Sequence, residues 1–311
     1  RTSNSGFGVA PLHYMTADAL LRNSKFVICR SSRSHVKLYL SERDGNGAKN
    51  EVRMDELRFS GFGVASQREG QKVQFDLNVQ LENAIHKPDD LDVKLNDLLQ
   101  FLLEHKQRLK MPFQKNLDLE HSKFFCYRGL MTCVALTPYE RVDPWKIVAM
   151  LFKGNIYLCA RDTEEKITRK RNMTPDEKKF ASWGYKFEQY MLSDTPETEP
   201  NPNVPVDETE EFSLVFKTHL NDHNIVYGAE MDGIRCDRGN DRYSLAVIIS
   251  ISFLNLSLLF FRRYKTKKWW CQSFLAGIDT VLCGLRNDVG IVDEIRMYKL
   301  RDLSKMSQVF K

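Results

Sequence analysis

The distribution of apolar residues predicts buried strands in the last third of the chain. Residues 249–253 and 254–258 each alternate apolar and polar side chains with a period of two, which is typical of β-strands. The 18 residues from Ser244 to Phe261 carry no charge, so their length also reaches that of a membrane-spanning helix. A helix would scatter the serines around every face, whereas alternation and β-branched residues favour strands. We therefore predict a buried strand or strand pair rather than a membrane span.

Two segments have the pattern of helices. Residues 88–106 begin with a proline and an acidic pair, and their leucines form one apolar stripe, which predicts a helix that faces the core. Thr174, Pro175 and Glu177 have the spacing of a helix N-cap, a first helical residue and a capping-box partner. They predict a second helix that ends near Leu192. The stripe of the first helix comprises Leu91, Leu95, Leu98, Leu99 and Leu102.

The remaining apolar runs predict further strands that are joined by turns. Residues 124–158 contain strand-like runs, with a hairpin turn at residues 153–155. Strands are also expected at residues 212–216 and 225–231, and a closing hairpin at residues 280–300. Because strands dominate and helices are interleaved with them, we predict an α+β fold in which mixed, largely antiparallel sheets are flanked by helices.

The composition and the cysteine content are those of an ordinary globular protein. The 311 residues carry a net charge of +5, which permits a polyanionic partner without requiring one. Seven scattered cysteines form no C-x-x-C pair, which predicts reduced thiols in an intracellular protein. The chain does not begin with Met and has no apolar signal core at its start, so we expect a shortened chain without a secretory signal. The acidic, proline-rich residues 195–211 are expected to form a solvated surface loop.

Four charged residues are candidates for chemistry. Glu230 and Asp232 are two apart on a predicted strand, which puts both carboxylates on one face. Two carboxylates this close repel each other unless a cation lies between them. Oxygen ligands suit Mg²⁺ or Mn²⁺. The alternative is that both acids are exposed on the strand and bind no metal. Arg128 is either a phosphate or carboxylate clamp or a surface arginine. Glu188, on the second predicted helix, has by itself the pattern of a solvated helix acid.

A basic and aromatic cluster precedes Gln272. Basic residues alternate there with aromatic rings, a combination that can pair with phosphates and stack on bases. The alternative is an amphipathic helix with its aromatic side chains inward and its lysines outward, and the sequence leaves both open. The basic residues are Arg262, Arg263, Lys265, Lys267 and Lys268, and the aromatic residues are Tyr264, Trp269 and Trp270.

Several motifs in one order carry a family resemblance. WGYKFEQYM and KKWWCQSFLAG are long and unusual. Together with CYRGLMT, TPYERVDPW, FKGNIYL, YGAEMDG and GLRNDVG, they resemble the DXO family of RNA decapping exoribonucleases. The resemblance covers roughly Leu91 to the C-terminus, whereas residues 1–90 diverge. It implies a single domain of this type over residues 1–311.

The resemblance implies a function at RNA 5′ ends. Members of the family are similar in removing incomplete or unusual caps, and many hydrolyse RNA with a 5′-monophosphate or pyrophosphate end. Their active site lies in a cleft beside a mixed sheet and uses a divalent metal, here Mg²⁺ or Mn²⁺. By resemblance, Glu188, Glu230 and Asp232 are catalytic metal ligands, and Arg128 and Gln272 contact RNA phosphates. We also expect a nuclear or cytoplasmic location and protein partners in an RNA-processing complex.

The family's next strand carries a Glu-x-Lys motif that this chain lacks. In the family, the glutamate completes the metal cage and the lysine orients the attacking water. Alignment of that strand with residues 245–251 places Ile248 at the glutamate position and Ser250 at the lysine position. Shifting the alignment does not help, because residues 243–261 contain no acid and no lysine. The sequence therefore predicts an incomplete site that holds Mg²⁺ or Mn²⁺ weakly.

Two functions stay open at this point. The first is an RNA 5′-end binding protein that acts in the quality control or protection of RNA ends. The second is a residual enzyme, a metal-dependent decapping pyrophosphohydrolase and 5′–3′ exoribonuclease.

Overall fold

The chain folds around two β-sheets. The computed structural model describes residues 25–31, 38–41, 64–65, 72–88, 94–104, 123–140, 143–193, 199–209, 211–220, 223–236, 243–253, 265–278 and 280–307. The strands are β1 Lys25–Ser31, β2 Leu38–Ser41, β3 Val64–Ala65, β4 Lys72–Asp76, β5 Lys123–Tyr127, β6 Lys146–Phe152, β7 Asn155–Arg161, β8 Leu192–Ser193, β9 Glu211–Leu220, β10 His223–Glu230, β11 Gly233–Cys236, β12 Tyr243–Phe253, β13 Thr280–Arg286 and β14 Ile291–Lys299. The helices are α1 Asn96–Glu104, α2 Arg128–Leu136, α3 Glu164–Arg171, α4 Pro175–Met191, α5 Thr266–Ala276 and α6 Leu300–Ser307.

Both sheets are mixed. The first has the order β2-β1-β9-β10-β5-β7-β6, in which β5 is parallel to β10 and to β7. The second has the order β4-β14-β13-β12-β11-β3-β8, in which β12 is parallel to β13 and β11 is parallel to β3. The other strand pairs of the described residues are antiparallel. The predicted class, an α+β fold with mixed and largely antiparallel sheets, is confirmed.

Buried side chains form three clusters that set the layers of the fold. The first cluster joins the two sheets, since it contains Tyr227 of β10 and Cys283 of β13. The second packs α4 on the second sheet, with Phe187 against Leu282. The third packs α1 on the first sheet, with Leu98 at its centre. The two sheets therefore face each other, and α1 and α4 cover their outer faces.

The helix that carries Glu188 begins at a capping box. The hydroxyl of Thr174 accepts a hydrogen bond from the amide of Glu177 at 3.2 Å, and the Glu177 carboxylate accepts one from the amide of Thr174 at 2.8 Å. Two orphan amides are thereby satisfied. The helix ends at Met191, one residue before the predicted end at Leu192, so this prediction is confirmed.

Three strand predictions are also confirmed. β6 and β7 form the hairpin around residues 153–155, where Lys153 and Gly154 have φ values of 48° and 72°. β13 and β14 form the closing hairpin. The apolar run is strand over residues 243–253, and its remainder lies outside the described residues. In the part of the chain that the structure describes, no helix is both long and apolar enough to span a membrane.

Three predictions about helices, strands and loops were wrong in part. The run after Tyr127 is helical, because α2 begins at Arg128 and the Thr132 hydroxyl donates to the Arg128 carbonyl one turn earlier at 3.0 Å. Lys94 has a φ of 48°, which is not helical, so α1 begins later than the predicted start at residue 88. In the loop expected to be solvated, Val206 and Glu208 are buried.

Candidate active site

The two carboxylates of the YGAEMDG motif flank a buried methionine. Glu230 is the last residue of β10 and pairs with Ser213 of β9. Met231 is 2% exposed and belongs to the cluster between the sheets. Asp232 follows in the link to β11, so it lies just beyond the strand on which it was predicted. Because β10 ends here, both acids stand at an edge of the inter-sheet core.

Glu188 of α4 approaches the same two acids. Burial raises the pKa of the Glu188 carboxyl well above its ordinary value, and the charges of Asp232 and Glu230 raise it further. The three acids, which come from a helix, a strand end and a link, are therefore close enough to repel one another. A cation between them would relieve that repulsion.

Glu230 is exposed, and the protein around it shifts its pKa. Its side chain is exposed to solvent, yet the surrounding protein is the main cause that raises its pKa to about 7. The charges of Glu211 and Asp232 raise this pKa further, and those of Arg128 and Lys87 lower it. A carboxyl that contacts water and is also surrounded by protein is typical of a cleft floor, where ligands bind.

Arg128 presents a cation to these acids. It is the first residue of α2, directly after β5. Its Nη1 atom is buried and has no hydrogen-bond partner among the described residues. Burial lowers the pKa of the guanidinium, whereas Asp232 and Glu230 raise it. A buried donor without a partner beside a carboxylate site fits an arginine that binds an anionic ligand.

Gln272 lies on α5, which packs against α2. Its neighbour Cys271 is near Arg128: burial raises the pKa of the Cys271 thiol to about 11, and a hydrogen bond with Thr132 and the Arg128 charge act in the opposite direction. The hydroxyl of Tyr227 donates to the carbonyl of Leu275 at 2.5 Å and so ties α5 to β10. The helix that carries Gln272 is thereby fixed beside the carboxylates.

The described residues of the basic and aromatic cluster differ in their surroundings. Lys265 Nζ lies 5.9 Å from the centre of the Trp269 ring, and Lys267 Nζ lies 3.5 Å from that of Tyr139. Lys268 is exposed, whereas Trp269 is buried. Arg262 and Arg263 lie outside the described residues. Of the three lysines, Lys268 is exposed and Lys265 and Lys267 are half-buried, so both predicted roles of the cluster stay open.

The register of β12 bears on the missing Glu-x-Lys pair. Positions 248 and 250 are level with Val281 and Cys283 of β13, which belong to the cluster between the sheets. Positions 249 and 251 are level with Leu282 and Gly284, which lie on the α4 side. Glu188 is on α4, so the register sets positions 249 and 251 level with the residues of β13 that this helix covers. The assignment of Ile248 and Ser250 stays a prediction.

The donor set fits a hard divalent cation only loosely. Three carboxylates from separate elements suit Mg²⁺ or Mn²⁺ by charge and ligand type. Among the described residues, however, no group of three or more His, Cys, Asp or Glu side chains is arranged closely enough to hold a metal ion. The geometry therefore gathers the acids without forming a closed cage.

Comparison with known proteins identifies the family of this chain. Residues 44–310 match the family described as RAI1 like PD-(D/E)XK nuclease. The chain belongs to this family. The RAI1-like match begins before residue 91, so it extends beyond the motifs that carried the resemblance. The PD-(D/E)XK name contains an acid-x-lysine signature, and β12 has no acid and no lysine in its sequence.

Relatives support the RAI1-like assignment, and a solved structure shares the fold. The chain is 33% identical over 235 residues to the decapping and exoribonuclease protein Rai1 of Drosophila melanogaster, which covers 71% of this chain and 62% of that protein. It is 30% identical over 225 residues to the human decapping and exoribonuclease protein, covering 68% and 54%. The chain thus spans less than two thirds of either relative. The fold resembles Candida albicans Rai1 in complex with pU5 and Mn²⁺, with a TM-score of 0.69, 17% identity, and coverage of 93% and 75%.

Four further residues at the site were not predicted. Tyr185 of α4 has a raised pKa because of burial and the charges of surrounding glutamates, which include Glu211. Lys87 forms an ion pair with Glu211, and Tyr227 anchors α5. These pairs join distant parts of the chain, so no local spacing marks them. The motif YGAEMDG contained Tyr227, but its role depends on a partner in another element.

Proposed function

We propose that this chain binds RNA 5′ ends on a decapping-nuclease scaffold whose metal site is incomplete. The observation that carries the proposal is the contrast within one site: Glu188, Glu230, Asp232 and Arg128 are gathered, whereas β12 supplies no acid and no lysine in its sequence. Such a protein would act in quality control or protection of RNA ends inside the cell, in the nucleus or cytoplasm. Protein partners in an RNA-processing complex belong to the same proposal.

RNA binding is proposed to rest on Arg128 beside the carboxylates and on donors of the neighbouring α5. The buried Nη1 of Arg128 can donate to a phosphate oxygen, and a guanidinium matches phosphate in a bidentate way. Gln272 projects from the adjacent α5, where Lys268 is exposed. The relative with a TM-score of 0.69 is in complex with pU5, a 5′-phosphorylated RNA, which supports this ligand class.

A divalent metal would be held by Glu188, Glu230 and Asp232. When bound, Mg²⁺ or Mn²⁺ neutralises phosphate charge and lowers the pKa of a bound water. The three carboxylates alone bind it weakly, because the fourth carboxylate of the family's site is absent from the sequence of β12. The missing lysine removes a group that orients water, and groups of this kind contribute roughly 10²–10⁴ in rate.

A residual enzyme is the second candidate. One observation favours it: the charges of Asp232 and Glu230 both reach Glu188, so the three acids remain neighbours even though β12 contributes no fourth acid. In that case the chain would be a slow metal-dependent decapping pyrophosphohydrolase and 5′–3′ exoribonuclease. The two candidates share the same bound RNA end and differ only in turnover.

Fluorescence anisotropy with a labelled 5′-monophosphate RNA tests the proposed binding. Affinity should fall as salt rises, with a log–log slope of about −0.7 for each phosphate contact. Arg128→Ala should weaken binding about tenfold. Arg171→Ala, which removes an exposed arginine from the end of α3, is the matched control and should bind normally. Binding that is independent of salt, or equal in Arg128→Ala and the unmodified protein, would contradict the proposal.

A further inference from the structure

A short parallel bridge ties the chain at Ile85 to the loop before β9. The amide of Ile85 donates to the carbonyl of Val206 at 2.8 Å, and the amide of Glu208 donates to the carbonyl of Ile85 at 2.9 Å. The carboxylate of Glu208 accepts a 2.5 Å hydrogen bond from the buried hydroxyl of Ser182 on α4. The bridge is therefore anchored to the helix that carries Glu188.

Lys87 lies two residues beyond this bridge and forms an ion pair with Glu211, the first residue of β9. The side chains of Lys87 and Glu211 are 36% and 31% exposed, so the pair is held by the fold and still reaches solvent. An ion pair in this position can exchange a carboxylate for the phosphate of a ligand, because both are anionic oxygen acceptors for an ammonium group.

The register of β9 and β10 brings this pair to the carboxylate site. Ser213 of β9 is level with Glu230, and Glu211 is two residues before Ser213 on the same strand. Residues two apart share one face of a sheet, and diagonal neighbours of antiparallel strands lie roughly 7–8 Å apart. Both charges reach Glu230, since Glu211 raises its pKa and Lys87 lowers it.

We infer that Lys87, oriented by Glu211, supplies to the carboxylate site the lysine charge that the sequence of β12 lacks, and that it contacts the phosphate of a bound RNA 5′ end. The inference rests on the proposed RNA binding. It adds Lys87 as a phosphate contact and Glu211 as the residue that positions Lys87. Lys87 follows the bridge at Ile85, which is anchored to α4 through Glu208 and Ser182.

The charge of Lys87 has opposite effects on the two ligands of the site. A cation beside Glu230 attracts a phosphate and repels a divalent metal. Loss of Lys87 should therefore weaken RNA binding and strengthen Mn²⁺ binding. A purely structural role would weaken both, because disruption of the fold loosens every contact at once. The sign of the two changes therefore separates the roles.

The test compares Lys87→Met with Lys87→Arg and with Lys170→Met. The last variant breaks an ion pair of the same kind, which joins Lys170 of α3 to Asp162 before that helix, and serves as the matched control. RNA affinity is measured by anisotropy with 5′-monophosphate RNA, Mn²⁺ affinity by calorimetry, and folding by melting temperature. Lys87→Met should weaken RNA binding roughly fivefold, reduce the salt slope by about 0.7, and tighten Mn²⁺ binding about twofold or more.

Lys87→Arg should keep RNA binding within about twofold of the unmodified protein, and Lys170→Met should leave both affinities unchanged. If Lys87→Met binds RNA as tightly as the unmodified protein and Arg128→Ala binds it more weakly, this inference is overturned. The proposed function is then left intact. If Lys87→Met has lower affinity for both RNA and Mn²⁺ and a lower melting temperature, Lys87 has a structural role. That result also overturns the inference. No RNA binding by the unmodified protein overturns the proposed function together with the inference.

Discussion

The hydroxyl of Tyr227 donates a 2.5 Å hydrogen bond to the carbonyl of Leu275, and this contact joins the two halves of the candidate site. Tyr227 lies three residues before Glu230 on β10, whereas Leu275 lies three residues after Gln272 on α5. Tyr227 is 2% exposed, so no water competes for the bond. The carboxylate side and the RNA-binding side of the site therefore share one rigid connection.

Tyr227→Phe should separate these two sides. The loss leaves the Leu275 carbonyl without its partner and should cost about 1 kcal/mol of unfolding free energy. RNA affinity should fall severalfold because α5 loses its anchor, while Mn²⁺ affinity stays the same. Chemical denaturation, anisotropy and calorimetry measure the three quantities.

Tyr190→Phe is the control for that variant. The Tyr190 hydroxyl also donates to a backbone carbonyl, that of Asp76, at 3.0 Å, but this bond joins α4 to β4. A similar loss of stability with normal RNA affinity is expected. If both variants lose RNA affinity equally, the Tyr227 contact has no special part in positioning α5.

The stability of the metal-free protein should depend on the ionisation of Glu230. Its pKa is raised to about 7 in the folded state, mainly by burial, so the folded state binds this proton more tightly than the unfolded state does. The resulting stabilisation is fully present below pH 4.5 and is lost as the pH rises through about 7. The melting temperature of the metal-free protein should therefore fall across this range, after subtraction of the curve for Glu230→Gln.

Mn²⁺ should show the opposite trend with pH. A metal ion competes with the proton on Glu230, so its affinity should increase up to a pH of about 7 and then level off. Calorimetry at several pH values measures this directly. A pH-independent Mn²⁺ affinity in the unmodified protein would show that Glu230 does not share the metal.

Gly284 is required beneath α4. A Cβ atom on Gly284 would lie 2.6 Å from the ring of Phe187, a residue that is fully buried. Gly284→Ala should therefore destabilise the fold by about 1–3 kcal/mol through overpacking. Gly184→Ala, within α4, meets no atom within 4 Å and should stabilise by about 0.5–1 kcal/mol through helix propensity. Equal melting temperatures of the two variants would contradict this packing.

Local signals in the sequence were sufficient for much of the fold. The capping box at Thr174 and the hairpin turn at Lys153 and Gly154 were predicted because their chemistry acts over a few residues. The strand at residues 243–253 was predicted from its period of two. The helix after Tyr127 was missed, since a short apolar run has no period that distinguishes a helix from a strand.

Only some of the residues of the candidate site could be predicted from the sequence. Glu188, Glu230, Asp232 and Arg128 were named from motifs, and the structure brings their charges within reach of one another. Lys87 and Glu211 are 124 residues apart and meet only through tertiary structure. The register of β12 likewise depends on its pairing with β13, so the sequence could show that charge is absent but not which positions face α4.

Two double variants test the register of the missing pair. Ile249→Glu with Ile251→Lys should tighten Mn²⁺ binding and raise the cleavage of 5′-monophosphate RNA, because these positions are level with the α4 side of β13. Ile248→Glu with Ser250→Lys follows the family alignment instead. Both pairs are level with buried residues of β13, so each double variant should also lower the melting temperature.

Single substitutions at either pair of positions should raise Mn²⁺ affinity and RNA cleavage much less than the double variants do. The reason is that a metal ligand and a water-orienting lysine act as a unit. Melting curves must accompany every activity, since new charges in an apolar strand can unfold the protein. Recovery of cleavage in the 248 and 250 pair alone would show that the family alignment, rather than the register argument, identifies the site.

The turnover of the unmodified protein on 5′-monophosphate RNA with Mn²⁺, measured beside Asp232→Ala, tests the incomplete site most directly. With no acid and no lysine in the sequence of β12, the unmodified protein should bind the RNA and cleave it no faster than Asp232→Ala. Cleavage at several turnovers per second that Asp232→Ala abolishes would show that other residues complete the site and that the chain is an active nuclease.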